Sequence, residues 1–367
     1  MTIGIPKEIK NNEFRVSLTP AQVSALTLSH KVVIQQSAGL GSGFSDTAYL
    51  EAGASMVNTI EKVYALADLI VKVKEPLPEE FPLIQAKHTI FTFFHFASSE
   101  ILTRAMQQSG ATCIAYETVE DEKGNLPLLT PMSEVAGRLA GQQAAKYLEK
   151  PQGGSGILVG GVSGVQPAKI MVLGGGVVGT NATDVLVGMR ADVLVFDISK
   201  KRLDELVSRF DGKITPVLAT KENIGIYLPQ VDAVIGAVLV KGAKAPKLIS
   251  KKMLSLMRPQ AVLVDVAVDQ GGCFETTHPT THENPTYTVD GVLHYAVANM
   301  PGAVPYTSTK ALSGAIFPYL MKLLSTSLSG LDDGFKKGIN TSKGYITNKE
   351  IANAFQLPFT PLSDILK

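Results

Sequence analysis

Apolar residues along this chain gather into short runs, and amphipathic stretches of helical spacing separate them. Positions 2–5, 31–35, 68–74, 88–94 and 112–116 have the length and β-branched content of buried strands. Between them, one helix is predicted to start at Pro20 behind Thr19. Another covers 46–53, and a third covers 99–108 with Gly110 just past its end. Strands that alternate with helices of this length make a parallel α/β sheet. In such sheets the ligand crevice lies beyond the carboxyl ends of the strands, and that is where Lys74 and His95 fall.

A long helix is predicted from Thr130 as N-cap and Pro131 at the first helical position, with helical spacing kept to about Leu148. It makes a connector between two α/β segments. The glycine-rich stretch 150–165 suits a flexible loop. Alternation then resumes, with strands at 170–173, 193–196, 232–236, 261–267 and 293–298, and helices at 181–189 and 200–210. The segment 301–305 breaks the pattern, 307–328 reads as a returning helix, and the tail 331–367 rejoins the first domain. The architecture expected is α/β: two Rossmann-like, doubly wound parallel-sheet domains linked by long helices, with an active-site cleft between them. A discontinuous domain, 1–128 plus 306–367, would hold the substrate, and 129–305 would hold a dinucleotide.

The dinucleotide expectation rests on Lys169-Ile-Met-Val-Leu-Gly-Gly-Gly-Val-Val-Gly179 and the strand 193–196 that ends on Asp197. Gly174, Gly176 and Gly179 have G-x-G-x-x-G spacing. The first permits a tight turn, the second lets backbone approach a pyrophosphate, and the third lets helix and strand pack closely. Asp197 stands where a carboxylate accepts the adenosine ribose hydroxyls, and its charge repels a 2′-phosphate, so NAD is favoured over NADP. Strand, glycines, helix, strand and acid in one βαβ unit are far more specific than the glycines alone.

Length and composition fit a two-domain globular protein: 367 residues, 45% hydrophobic and 18% charged. A formal net charge of +1 gives no electrostatic case for nucleic acid or an anionic membrane. Two distant cysteines, Cys113 and Cys273, exclude a disulfide framework and a cysteine zinc site. The histidines show no metal-ligand spacing, so no metal is expected, and neither G-x-S-x-G nor a P-loop occurs. The N-terminus has no apolar core of signal-peptide type, no run is long enough to span a bilayer, and a cytoplasmic location is expected.

Several segments together resemble the alanine dehydrogenase family, which is related to the NAD-binding part of proton-translocating transhydrogenase. They are Gly4-Ile-Pro-Lys-Glu-Ile-Lys-Asn-Asn-Glu13, Arg15-Val-Ser-Leu-Thr-Pro20, Lys72-Val-Lys-Glu-Pro76, Thr92-Phe-Phe-His95, Tyr116-Glu-Thr118, Leu128-Leu-Thr-Pro-Met-Ser-Glu-Val-Ala-Gly137, the Gly174–Gly179 turn, Val264-Asp-Val-Ala-Val-Asp-Gln-Gly-Gly272 and His294-Tyr-Ala-Val-Ala-Asn-Met-Pro-Gly302. The resemblance implies reversible conversion of L-alanine, NAD and water to pyruvate, NADH and ammonium, in a homo-oligomer that is usually a hexamer. The chain departs from the pattern at Phe93-Phe94, where the family often has Tyr-Leu. It departs again at Tyr306, where the family commonly has Arg, and in the loop 278–285.

Oxidising an α-amino acid needs a cationic clamp for the carboxylate, a general base and a way to handle the imine. Arg15 suits the clamp through its guanidinium fork, and Lys74 supplies a second cation. By residue type alone they could equally be a loop arginine and one lysine of a solvated pair with Lys72. His95 sits among phenylalanines, a setting that favours the neutral imidazole but also suits an ordinary core histidine. The resemblance makes His95 the acid/base group and has Asp269 assist attack on the imine, although Asp269 is also a good turn residue before Gly271-Gly272. Asp265 is less suited to reach a substrate. By resemblance, cofactor contacts are expected at Ser133, Gly174, Gly176, Val177, Val178, Gly179, Asp197, Arg202, Val238, Leu239, Ala267, Val268, Asp269, Val297, Ala298, Asn299 and Met300. The rival expectations are a transhydrogenase-like NAD(H)-binding subunit and a non-catalytic NAD-binding protein.

Overall fold

A computed structural model of the protein describes residues 1–238 and 245–366. Its strands in chain order are β1 Thr2–Ile5, β2 Lys31–Gln35, β3 Ser55–Val57, β4 Leu69–Val71, β5 Thr89–Thr92, β6 Thr112–Ala115, β7 Lys169–Leu173, β8 Asp192–Asp197, β9 Ile214–Leu218, β10 Ala233–Gly236, β11 Val262–Asp265, β12 Thr286–Val289, β13 Val292–Tyr295, β14 Ile339–Ser342 and β15 Tyr345–Ile346. The chain divides into two compact units, one of residues 1–132 and 304–367, the other of residues 133–303. Each has its own sheet.

The first unit holds a sheet in the order β15-β14-β6-β5-β4-β1-β2-β3. β1 to β6 pair in parallel, while β14 runs antiparallel to both of its neighbours. Ile3, Ile5, Ile70, Val71, Ile90, Phe91 and Ile114 are fully buried, as strands covered on both faces require. The order 3-2-1-4-5-6 for β3 to β6 reverses direction between β1 and β4. That is the topological switch point at which such sheets bind ligands.

The second unit repeats the logic, with strand order β12-β13-β11-β10-β7-β8-β9 and only β12 antiparallel. Its switch point lies between β7 and β10, whose carboxyl ends pair through Leu173 and Gly236. Helix Val177–Gly188 packs against helix Thr130–Tyr147 through small residues: a Cβ at Gly137 would stand 2.2 Å from the Val178 carbonyl oxygen.

Three expectations are corrected. Thr130 does not cap the long helix but lies inside it. A preceding turn already donates Leu129 N–H and Thr130 N–H to the Leu126 carbonyl, and the Thr130 hydroxyl joins them at 2.9 Å. The glycine-rich stretch 150–165 is a built turn rather than a slack loop. Val162 and Val165 exchange backbone hydrogen bonds, and Gly156 N–H and Ile157 N–H both reach the Leu148 carbonyl. Finally, β4 and β5 stop at Val71 and Thr92, short of the expected Lys74 and Phe94. The reason lies in the carboxylates described next. Both cysteines are buried free thiols.

Candidate active site and dinucleotide site

In the first unit the chain beyond β4 leaves the ladder because side chains take over its backbone groups. Glu8, just past β1, accepts Val73 N–H at 2.6 Å and Lys74 N–H at 3.3 Å. The Tyr116 hydroxyl donates to the Lys72 carbonyl at 3.0 Å, and the Thr92 hydroxyl to the Lys74 carbonyl at 2.9 Å. Lys72 is wholly buried, with its ammonium 3.2 Å from Glu8 and 2.8 Å from Glu80. Burial alone would push that ammonium to lose its proton. The two carboxylates outweigh the burial and hold it charged. Lys72 is therefore a structural cation that anchors the segment presenting Lys74.

Neither proposed clamp residue is an ordinary surface cation. Lys74 is 6% exposed and Arg15 3%. Arg15 donates through Nε (2.7 Å) and Nη2 (2.5 Å) to the two oxygens of Glu13, and through Nη1 to the Met132 sulfur at 3.1 Å. A guanidinium gripped on a buried carboxylate keeps one orientation, as a recognition group must. Beside Lys74 stands Glu75, whose Oε2 is 3.7 Å from the Lys74 ammonium and whose Oε1 accepts Lys10 Nζ at 2.5 Å. Burial pushes the Glu75 carboxyl up, but Lys74, Lys10 and His95 together hold it below its ordinary value.

His95 follows β5 in a left-handed backbone conformation, φ 51°, which a residue with a Cβ rarely adopts. Glu117 holds it there. Its carboxylate accepts His95 N–H at 2.5 Å and Phe94 N–H at 3.2 Å, the groups that a longer β5 would have given to the sheet. The half-buried imidazole stacks on Phe93, 5.9 Å between ring centres and 7° between planes. Lys74 and His95 thus follow the carboxyl ends of the neighbouring strands β4 and β5, and both act on Glu75; Arg15 follows β1, which lies across the switch point from β4. Residue type alone gave no role to Glu8, Glu13, Glu75 or Glu117. Each lies inside a quoted motif, and that placement was the available signal.

The second unit carries the glycine turn after β7. Gly174 has φ +101°, so the first glycine is required by backbone conformation. A Cβ on Gly179 would sit 1.8 Å from the Gly174 carbonyl oxygen, so the third glycine is required by helix–strand contact. A Cβ on Gly176 would meet no atom of the described residues within 4 Å. The second glycine therefore keeps a space clear rather than fitting a neighbour, at the N-terminus of helix Val177–Gly188, where no side chain caps the helix. Open backbone at an uncapped helix start is what a pyrophosphate needs.

Asp197 closes β8 and accepts Gly175 N–H and Ser199 N–H, each at 2.8 Å, one on each oxygen. It has lone pairs left for ribose hydroxyls. Arg202 lies against the same turn, with Nε to the Gly175 carbonyl (2.8 Å) and Nη2 to the Thr180 hydroxyl (2.9 Å). Val177 is exposed and Val178 nearly buried at the start of the helix. Val238 follows β10, with its side chain beside Gly174. Leu239 lies outside the described residues. Ala267, Val268 and exposed Asp269 form the turn after β11. Val297 to Met300 follow β13, with Ala298 N–H bonded to the Thr280 carbonyl and Asn299 at φ 65°. Ser133 lies half-buried in the first turn of helix Thr130–Tyr147.

Asp265 is accounted for as structure. It is buried and accepts Ala267 N–H (3.1 Å), Cys273 N–H (2.8 Å) and the Thr277 hydroxyl (2.5 Å), which closes the turn that carries Asp269. Among the described residues no group of His, Cys, Asp and Glu is arranged to hold a metal ion, and no helix is long and apolar enough to cross a membrane.

A 3-2-1-4-5-6 sheet, a glycine turn with space held open above an uncapped helix, and an acid closing the second strand define a dinucleotide-binding protein of the dehydrogenase class. Residues 4–136 match the family model "Alanine dehydrogenase/PNT, N-terminal domain" and residues 140–349 match "Alanine dehydrogenase/PNT, C-terminal domain". The chain belongs to the alanine dehydrogenase/PNT family. It is 50% identical over 370 residues to an alanine dehydrogenase of Halomonas elongata and 47% identical over 371 residues to one of Methanococcus maripaludis, covering the full length of each pair. A solved L-alanine dehydrogenase superposes with a TM-score of 0.93 at 47% identity, covering 97% of this chain and 99% of that one. A transhydrogenase from Sinorhizobium meliloti shares the fold, with a TM-score of 0.80 at 24% identity over 95% of this chain and 99% of that one.

Proposed function

We propose that Arg15, Lys74, His95 and Asp269 carry the reaction of an NAD-dependent alanine dehydrogenase, the reversible oxidative deamination of L-alanine to pyruvate and ammonium. The observation that carries the residue roles is the burial of two cations, Lys74 and Arg15, in the unit that also holds the imidazole of His95 in a strained backbone. Each buried cation is paired with a carboxylate, Arg15 with Glu13 and Lys74 with Glu75, which offsets the cost of burial and keeps it charged for a substrate anion.

The glycine turn, Asp197 and Arg202 would hold NAD, which when bound accepts the hydride from the amino acid's Cα. Lys74 and Arg15 fix the substrate carboxylate, which orients Cα and leaves the amine and the carbonyl carbon in one plane once the imine forms. His95 takes a proton from water as it adds to the iminium carbon, returns it to nitrogen, and takes the hydroxyl proton as the carbinolamine collapses; the C–N bond breaks, ammonia leaves, and that last proton makes it ammonium. Asp269 stabilises the positive charge that nitrogen carries meanwhile. Run backwards, the same groups serve reductive amination of pyruvate.

The same reading includes a homo-oligomer, a hexamer by family resemblance, at work in the cytoplasm. Light scattering on the purified protein tests the first part and cell fractionation the second.

The activity test follows the near-ultraviolet absorbance of NADH with pyruvate and ammonium present, and then with other 2-oxo acids. Loss of NADH that requires both pyruvate and ammonium is the expected result. Tight NADH binding without turnover on any 2-oxo acid would instead mark a binding subunit.

A further inference from the structure

The site as described has two cations for the substrate carboxylate, while the nitrogen has been given only Asp269, a residue of the second unit. In any α-amino acid the amine is attached to the carbon that bears the carboxylate. A group that recognises it must therefore stand beside the cations that hold that carboxylate.

We propose that Glu75 is the acceptor for the substrate nitrogen, through its Oε2 atom, and so selects amino acid and ammonium over the corresponding hydroxy acid and water. This rests on the alanine dehydrogenase reading of the site. Glu75 Oε2 is buried and has no hydrogen-bond partner. Lys74 Nζ stands 3.7 Å from it, beyond hydrogen-bond reach. The other oxygen is already committed to Lys10, so the side chain is pinned at one end and offers the second. Pro76 follows Glu75 and biases its backbone to extended conformations. A buried carboxylate oxygen left without a donor is costly, and an N–H of the substrate would satisfy it with a charge-assisted bond. His95 lies close enough for its charge to act on Glu75, so the acid/base group and the amine acceptor share one neighbourhood.

Steady-state reductive amination separates the two roles. Ammonium is varied at saturating pyruvate and NADH, then pyruvate at saturating ammonium, for the parent protein and for Glu75→Gln. Loss of a charge-assisted bond to nitrogen predicts a rise in KM for ammonium of about tenfold or more, with KM for pyruvate changed less than about threefold. An equal rise in both constants, or an unchanged KM for ammonium, overturns the proposal. Glu75→Asp keeps the charge but withdraws it by one methylene, so it serves if the glutamine variant fails to fold, with the same split expected. Calorimetric competition between L-alanine and L-lactate gives a readout without turnover. The parent protein is expected to prefer alanine, and Glu75→Gln to lose that preference. A preference that survives the substitution overturns the assignment. Inactivity of the parent protein on pyruvate would instead sink the functional reading itself.

Discussion

Glu117 makes no contact with substrate in the proposed reaction, yet it should control the rate. His95 occupies the left-handed region, at a cost of about 1–2 kcal/mol for a residue with a Cβ. What offsets that cost is a carboxylate that accepts two consecutive backbone N–H groups, His95 at 2.5 Å and Phe94 at 3.2 Å. Hydrogen bonds to a charged acceptor contribute about 1.5–3 kcal/mol each and neutral ones about 0.5–1.5, so Glu117→Gln should weaken the pair by about 1–3 kcal/mol in total. Glu117→Ala removes both bonds, and the balance then favours an ordinary backbone that re-aims the imidazole. A penalty of about 3 kcal/mol on the productive conformer lowers kcat by about a hundredfold. NADH fluorescence titration should show unchanged affinity for both variants, because the glycine turn is untouched, while kcat falls in the order parent, glutamine, alanine. If both variants keep kcat within about twofold of the parent, the backbone of His95 is not what Glu117 governs.

Further outcomes follow from the same geometry. His95→Ala should abolish turnover while NAD still binds by titration calorimetry; retention of near-normal kcat would remove His95 from the mechanism. Gly179→Ala places a methyl 1.8 Å from a carbonyl oxygen and should destabilise the protein by about 3 kcal/mol or prevent folding. Gly176→Ala meets no atom of the described residues and should shift stability by less than about 0.5 kcal/mol while weakening NAD about tenfold or more, a contrast that denaturant titration and binding together resolve. Asp197→Ser should narrow the preference for NAD over NADP, measured as the ratio of kcat/KM. It should also lower Tm slightly, since Asp197 holds Gly175 N–H. Burial pushes the His88 imidazole below its ordinary 6.5, and its Nδ1 accepts Gln85 N–H at 2.9 Å. The unfolded chain therefore binds a proton that the native one refuses, so stability should fall as pH drops through about 6.5. A Tm that rises on acidification across that range would contradict this.

Periodicity and turn chemistry determined most of the fold from the chain alone. The runs at β1, β2, β5, β7, β8, β10 and β11 are continuous apolar segments, and burial on both faces leaves a strand little other composition to choose. The fingerprint was legible for the same local reason, since turn, helix start and acid lie within one βαβ unit. β3, β9, β12, β14 and β15 were not legible. β3, β9, β12 and β15 are short or half-exposed edge strands, and β14, though buried inside its sheet, is mostly polar (Ile339-Asn-Thr-Ser342), so no apolar run marks any of them.

What only the tertiary structure decided is how the chemistry is held. Lys72 and Lys74 look alike in sequence, two lysines separated by one valine. The fold places one between Glu8 and Glu80 as a sealed structural cation and leaves the other beside Glu75. Glu8, Glu13, Glu75 and Glu117 have no periodicity to announce them. Each takes its role from groups one to sixty-six residues distant, brought alongside by β1, β4, β5 and β6, which pair in parallel. A carboxylate's function depends on which donors surround it, and that neighbourhood exists only once the strands have paired.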